Sequence, residues 1–237
     1  MGIAQAGIAF RISDSVTDAA SFIGTVFGEP AKEIPLPVSA HFDIRNHSDV
    51  MVQTFGEVCF ISNDDLARPL IAGDSPDAGR LHAALGAPAL LLAFCHYDAD
   101  GSHGYAIFER GRRVRSRLER RNDSGVHALT ESGTPRIFEQ RWLAARHYEA
   151  AEASATAGGA RMYFLGDREV LVPARELTGR MLQDGLEALF GVCPWETLLT
   201  PTYRFFRLGP ERERAEAPAV SRERATTAGK RPWWQFL

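Results

Sequence analysis

Four side chains that can bind metal ions lie within eight positions of the sequence. They are His96, Asp98, Asp100 and His103, and they surround the segment Asp-Ala-Asp-Gly-Ser. Imidazole nitrogens and carboxylate oxygens are typical ligands of divalent cations such as Zn²⁺, Mn²⁺ and Ca²⁺. One interpretation is therefore a metal site, and with it a metal-dependent hydrolase. The other is a solvated turn, in which Asp and Gly serve only the turn geometry.

The same segment resembles the start of an EF-hand calcium loop, with Glu109 at its twelfth position. An EF-hand requires Gly at the sixth position, where this sequence has His103. It also requires a helix on each side, whereas both flanks here have the apolar or alternating pattern of strands. The sequence therefore disfavours a calcium loop.

A row of arginines follows in the next strand-like run. Arg113, Arg115 and Arg117 alternate with Val114, Ser116 and Leu118. The two-residue period of a strand predicts that the arginines share one face. Such a face could bind phosphate, an acidic protein or nucleic acid. The alternative is an exposed sheet face balanced by Glu109 and Glu119, which we favour because no aromatic side chains interleave with the arginines.

The cysteines give no sign of catalysis or of disulfides. Cys59, Cys95 and Cys193 are odd in number and widely spaced, which excludes a Cys-x-x-Cys pattern and favours a reducing, cytoplasmic location. Cys95 and His96 are adjacent in a strand, so their side chains point to opposite faces. Cys193 follows the C-terminus of a predicted helix, where the helix dipole disfavours a thiolate.

Composition and missing motifs exclude several classes of function. The net charge is −3 and the pI about 6.2, so nucleic acid is not an expected partner. No secretory signal and no apolar run of membrane-spanning length is recognisable. No nucleotide-binding, serine hydrolase or zinc protease motif occurs, which predicts no cofactor and weakens the case for an enzyme.

The last 29 residues differ in composition from the rest of the chain. Residues 209–229 contain almost no large apolar side chains, which predicts a disordered tail over residues 209–237. The tail ends in an aromatic cluster with Trp233, Trp234 and Phe236. These side chains suit an anchor on another protein, and the alternative is that they fold back onto their own domain.

The elements that must position these residues centre on a three-stranded meander. Two strand-like runs and a third alternating run cover residues 89–119, separated by turns rich in Asp, Arg and Gly. Periodicity and capping residues predict helices over 19–27, 76–85, 142–155 and 173–190, the first after a capping-box-like start at Ser15-Val-Thr-Asp18. They also predict a strand pair over 38–44 and 50–61 and a polar loop over 62–75. We predict a single α+β domain over residues 1–208, a mainly antiparallel sheet with two or three helices packed on it.

One stretch resembles a pattern found in uncharacterised bacterial proteins. It consists of the run from Gly104 through Arg115, then Glu131-Ser-Gly-Thr-Pro135, then a helix ending in Phe-Gly-Val-Cys-Pro. The resemblance covers residues 89–195. It implies a compact domain of a bacterial protein and transfers no activity and no site.

The sequence as a whole favours a non-catalytic binding or protein-interaction module. The reason is that the sequence has the apolar periodicity of a buried core but lacks the catalytic motifs named above. The metal-dependent hydrolase at His96, Asp98, Asp100 and His103 is one alternative. The anion-binding surface at the three arginines is the other.

Overall fold

The computed structural model describes residues 4–12, 18–36, 42–75, 78–97, 101–121, 127–149, 161–166 and 171–209. These residues form twelve β-strands and five α-helices. The strands are Ala4–Arg11 (β1), Ala31–Ile34 (β2), Asp49–Phe55 (β3), Val58–Ser62 (β4), Leu90–Tyr97 (β5), Ser102–Glu109 (β6), Arg112–Arg121 (β7), His127–Gly133 (β8), Arg146–Glu149 (β9), Arg161–Phe164 (β10), Leu171–Pro173 (β11) and Thr202–Leu208 (β12). The helices are Ala19–Phe27 (α1), Asp64–Ala72 (α2), Ala78–Ala84 (α3), Ile137–Leu143 (α4) and Leu177–Phe190 (α5). No helix among them is long and apolar enough to cross a membrane.

Nine strands form one antiparallel sheet, in the order β2-β12-β3-β4-β1-β5-β6-β7-β8. The predicted meander is confirmed, because β5, β6 and β7 pair in sequence order. Strands β9, β10 and β11 form a separate small sheet. The predicted α+β class with a mainly antiparallel sheet is therefore confirmed, although the described residues contain five helices rather than two or three.

Strand β1 lies at the centre of the large sheet, between β4 and β5. It can do so because its side chains are small or apolar on both faces. Ile8 and Phe10 enter one buried cluster, and Ala9 enters the other. Gly7 lies so close to β4 that a Cβ atom would stand 2.2 Å from the carbonyl oxygen of Ile61. Only glycine permits this approach of the two strands.

Helices cover both faces of the sheet, which gives three layers. On one face α1, α2 and α3 bury their apolar stripes, with Ile23 and Ile71 fully or nearly fully buried against the sheet. On the other face α4 and α5 pack through Trp142, Leu182 and Leu186. Helix α5 is the longest of the five described helices, and it contacts β5, β6 and β7. Polar groups of those strands that lie beneath α5 are consequently shielded from water.

The chain between residues 42 and 75 differs from the prediction. The segment 50–61 is not one strand but a hairpin of β3 and β4 that turns at Gly56. The predicted polar loop over 62–75 contains α2, which begins after an N-cap at Asn63. The Asn63 side chain accepts a hydrogen bond from the backbone N–H of Leu66, and Pro69 inside α2 removes only one backbone donor of the helix.

The predicted helix over 142–155 is also wrong where the structure describes it, up to residue 149, and residues 150–155 lie outside the described residues. Helix α4 ends at Leu143, and Arg146–Glu149 forms β9, which pairs with β10. The Ala- and Glu-rich composition favoured a helix, but strand pairing overrides this weak intrinsic preference. Helix α1 covers the predicted stretch 19–27, but its N-cap is Asp18, whose side chain accepts a hydrogen bond from the backbone N–H of Ser21. In the predicted capping box the cap is Ser15, which lies outside the described residues.

Candidate functional site

A row of polar side chains lies on the α5-facing side of the meander. His96 on β5 pairs directly with His103 on β6, and His103 pairs with Glu119 on β7. All three side chains are buried, with exposed fractions of 6%, 3% and 7%. They lie close to the ends of their strands, so the row is at one end of the sheet, beneath the start of α5.

The two histidines contact each other through their ring nitrogens. The Nδ1 atoms of His96 and His103 are 3.1 Å apart, and the ring centroids are 4.6 Å apart. Trp195 stacks on the His96 ring, with centroids 5.0 Å apart and planes 11° from parallel. Gly179 of α5 lies above both rings, so that a Cβ there would come within 3.2 Å of His103. The imidazoles are therefore fixed between strand and helix.

The predicted metal cluster is partly assembled. The structure brings His96 and His103 together, whereas Asp98 and Asp100 lie outside the described residues. Within the described ranges no three His, Cys, Asp or Glu side chains are grouped closely enough to hold an ion. Glu109, which an EF-hand would need near the turn, lies at the opposite end of β6 and pairs with Arg136. The calcium-loop interpretation is therefore wrong, and the metal-dependent hydrolase stays a prediction.

Arg117 and Glu119 are bridged by a hydroxyl of α5. Arg117 Nε donates to Thr178 Oγ1 at 3.0 Å, and the Thr178 hydroxyl donates to Glu119 Oε2 at 2.8 Å. Arg117 Nη1 lies 3.0 Å from Glu131 Oε2 on the neighbouring strand. Thr178 is fully buried, so this chain of contacts fixes the start of α5 on the sheet.

Arg115 forms the most deeply buried ion pair among the described residues. Its side chain is 2% exposed, and Nε and Nη2 both donate to the Glu139 carboxylate, whose side chain is 0% exposed. Nη2 also donates to Glu131 Oε1 at 2.6 Å. Burial alone would lower the pKa of Arg115, but the hydrogen bonds that Arg115 donates to Glu139 and Glu131 outweigh it and raise this pKa above its ordinary value. The hydrogen bond from Arg115 and the positive charge of Arg117 lower the pKa of Glu131 against the effect of its own burial.

The expectation that three arginines share one face is wrong. The register between β6 and β7 shifts at a β-bulge, which leaves Val114 without a partner on β6. Arg113 consequently turns to the opposite face, where Nη2 donates to the Ile71 carbonyl of α2 at 2.5 Å. Arg115 and Arg117 remain on the α5 side, and both are buried. The three arginines therefore hold helices on two faces of the sheet and form no common docking surface.

Cys59 and Cys193 are not activated nucleophiles. All three cysteines are buried. Burial raises the pKa of the Cys59 and Cys193 thiols to about 12, so both are protonated at neutral pH. Their structural role as small apolar side chains agrees with the sequence-based interpretation.

A concave surface lies between α4 and α5. It encloses about 920 Å³ and is lined by Pro135, Arg136, Ile137, Phe138, Gln140, Arg141, Asp184, Glu187, Ala188 and Leu189. Ile137 is 86% exposed at its edge. Asp184 at its floor accepts hydrogen bonds from Trp142 Nε1 and Arg141. We call this surface the α4–α5 groove.

His47 connects three segments on the other side of the molecule. Its Nε2 lies 2.9 Å from Glu29 Oε1, and its Nδ1 lies 3.2 Å from Asp65 Oδ2 at the start of α2. The hydrogen bond to Glu29 is the main cause of a raised His47 pKa, and Asp65 adds to it. Only the imidazolium can donate to both carboxylates at once.

This contact predicts a pH-dependent contribution to stability. Because the folded-state pKa of His47 is raised, its contribution is fully present below the unfolded pKa of about 6.5 and is lost as the pH rises through the folded value. We expect His47→Gln to lower the free energy of unfolding at about pH 6, and we expect this effect to fade as the pH rises above the unfolded pKa and through the raised folded-state pKa. Urea titrations of both proteins across this range measure the difference, and a difference independent of pH would refute the assignment.

Several residues of the site were not predicted. Thr178 and Trp195 are hidden from local sequence patterns because they reach the histidine row from other parts of the chain. Glu139 could have been singled out from its position in the sequence. It is the third residue of α4 and accepts a hydrogen bond from the backbone N–H of Arg136, as the glutamate of a capping box does. The predicted aromatic anchors Trp233, Trp234 and Phe236 lie outside the described residues, as does the predicted tail beyond Gly209.

Comparison with known proteins adds no relative. The resemblance over residues 89–195 to bacterial proteins stays a prediction. No protein-family model, no curated protein and no solved structure matches this chain.

Proposed function

We propose that this protein is a non-catalytic protein-interaction module that binds a partner segment in the α4–α5 groove. The observation that carries the proposal is Ile137, which begins α4 with 86% of its surface exposed beside about 920 Å³ of open groove. A large aliphatic side chain at the edge of a concave surface is typical of a binding site rather than of a solvent-facing helix.

The buried carboxylates near the groove support a role without catalysis. The buried carboxylate of Glu139 is bound by Arg115, and that of Asp184 is bound by Arg141 and Trp142. A catalytic acid or base must reach a substrate, whereas these groups are engaged in holding α4 and α5 on the sheet. The carboxylates nearest the groove therefore serve the fold that shapes it.

The groove favours a partner segment with a large apolar anchor next to basic residues. Phe138, Leu189 and Ile137 supply apolar surface to the groove. Arg136 and Arg141 at its edges are neutralised by Glu109 and Asp184. Exposed Glu187 has no ion pair within the described part of the chain, so it leaves negative charge for a cation on the partner.

The chain itself contains a segment with this chemistry, which provides a probe. A peptide of residues 230–237, Lys-Arg-Pro-Trp-Trp-Gln-Phe-Leu, combines two cations with three aromatic side chains. We expect it to bind the full-length Trp233→Ala/Trp234→Ala variant with a dissociation constant on the order of 10 µM, as for a small interface. Fluorescence anisotropy of the labelled peptide measures the affinity, and the variant removes competition from the chain's own aromatic residues.

Matched substitutions locate the binding surface. Ile137→Asp in the same background is expected to weaken binding about 10-fold or more, because it places a charge at the apolar edge. Leu198→Asp is the control, since Leu198 is fully exposed and outside the groove. Equal affinity for both variants, or no binding of the peptide at 1 mM (about −4 kcal/mol), would contradict the proposal.

A further inference from the structure

The α4–α5 groove has room for more than one large side chain. Its volume of about 920 Å³ lies near the upper end of the range for pockets that enclose a small ligand. Phe138 packs on Tyr105 of β6, with ring centroids 6.0 Å apart, so the apolar side of the groove rests on the sheet. Ile137 extends this apolar surface outward with 86% of its own surface exposed. A matching occupant therefore brings several bulky apolar side chains.

The chain carries one segment of this kind outside the described residues. In those parts of the sequence, Phe, Tyr and Trp occur at three positions, Trp233, Trp234 and Phe236. The adjacent cations Lys230 and Arg231 precede them directly. We call residues 230–237 the aromatic segment. Exposed Glu187, which has no ion pair among the described residues, offers the groove's negative charge to these cations.

The stretch that joins β12 to the aromatic segment offers no competing chemistry. Residues 210–229, which we call the linker, contain four glutamates and four arginines and no Phe, Tyr, Trp, Leu or Ile. The formal charges of the linker therefore cancel. Uncompensated positive charge and aromatic side chains are both concentrated in the aromatic segment.

The aromatic segment can reach the groove of its own chain. Gly209, which follows β12, donates its backbone N–H to the Pro30 carbonyl beside the outer strand β2. From β12 to β6, the strand beneath Phe138, the sheet spans five strand spacings, or about 24 Å. The linker can extend over about 66 Å. It is therefore long enough to pass around the helix layer rather than straight across it.

We propose that the aromatic segment occupies the α4–α5 groove of its own chain and blocks the groove to a partner. This regulation, which rests on the proposed function, places a competitor for the partner within the chain itself. A tether of this length gives the segment an effective concentration on the order of 1 mM at the groove. Against a dissociation constant on the order of 10 µM, the occupied form outnumbers the open form by about 100 to 1. The apparent affinity of a partner is lowered by the same factor.

Two full-length proteins that differ only in the aromatic segment test the competition. The labelled peptide of residues 230–237 is titrated into the unchanged protein and into the Trp233→Ala/Trp234→Ala variant. We expect the unchanged protein to bind the peptide about 100-fold more weakly than the variant, because its groove is already occupied. Fluorescence anisotropy measures both affinities. A variant that does not bind the peptide would refute the proposed function and the regulation with it, whereas equal affinity for the two proteins would refute the regulation alone.

Proteolysis of the unlabelled, full-length protein locates the aromatic segment. Trypsin cleavage after Lys230 reports the fraction of molecules in which the segment is released, and cleavage after Arg224 in the linker is the internal reference. Ile137→Asp, which weakens the groove, is expected to speed the cleavage after Lys230 about 10-fold relative to the reference. Leu198→Asp, on an exposed side chain outside the groove, is expected to leave it unchanged. Mass spectrometry of the first products gives both rates.

The dependence on protein concentration separates binding within one chain from binding between two. Occupation within a chain predicts the same relative cleavage rate from about 1 to about 100 µM protein. Protection of Lys230 that grows with concentration would show that the segment binds a second copy, and it would overturn the proposal. Equal relative rates in the unchanged protein and Ile137→Asp would also overturn it, and the proposed function then stands if the variant lacking both tryptophans binds the peptide.

Discussion

Replacing Arg115 with Met is expected to lower the free energy of unfolding by about 3–5 kcal/mol. The substitution leaves the Glu139 carboxylate, 0% exposed, without its main cation. Removing one partner of a buried pair costs more than the pair contributes, because the remaining charge cannot return to water. Urea denaturation followed by far-UV circular dichroism measures the loss.

A double substitution separates the charge effect from the packing effect. Arg115→Met with Glu139→Leu removes both charges, and we expect it to be more stable than Arg115→Met alone. Arg204→Met is a matched control, because Arg204 pairs with Glu33 at 2.6 Å on the surface. It is expected to cost less than about 1 kcal/mol. If Arg115→Met and Arg204→Met lower the free energy of unfolding by the same amount, the burial of the Arg115–Glu139 pair is not the cause of the loss.

Gly7→Ala is expected to prevent folding or to cost more than about 4 kcal/mol. The added Cβ would stand 2.2 Å from the Ile61 carbonyl oxygen, against backbone that cannot move without breaking the pairing of β1 with β4. Because β1 lies at the centre of the sheet, the strain reaches both helix layers. Soluble yield and thermal unfolding report the effect.

The same substitution has the opposite sign elsewhere in the chain. Gly79 lies in α3, and a Cβ atom added there would have no other atom within 4 Å beyond its own helix and chain neighbours. Gly79→Ala is expected to stabilise the protein by up to about 1 kcal/mol, because alanine loses less backbone entropy in a helix. A similar loss of stability at positions 7 and 79 would show that the strand contact does not limit the size of residue 7.

The elements that could be predicted from the sequence are those that residue patterns within a short stretch of the chain mark. The β5–β7 meander follows from alternation and turn residues, and α5 follows from an apolar stripe that ends at Gly191. The pairing of His96 with His103 also follows from a hairpin register and could have been derived from the turn length. Two of the four predicted metal ligands therefore come together because they share a hairpin.

Long-range and irregular features could not be derived in this way. The bulge at Val114 reverses the direction of Arg113, and no residue type marks it. Thr178 reaches the site from a segment about 60 residues away from Glu119, so only the assembled fold reveals the contact. The polar composition of residues 62–75 predicts a loop, whereas α2 forms there because Asn63 caps it and Leu70 and Ile71 are buried.

Because β12 lies between β2 and β3, the large sheet cannot be completed before β12 has been synthesised. Among the described strands, β2 has β12 as its one neighbour in the large sheet, and the two are separated by about 170 residues. During synthesis from the N-terminus, β2 and the outer side of β3 therefore wait unpaired until residues 202–208 leave the ribosome. Pairings of such high sequence separation form slowly, because a long loop must close first. The nascent chain thus exposes an open sheet edge until β12 has been synthesised, a stage at which edge-to-edge association is a hazard.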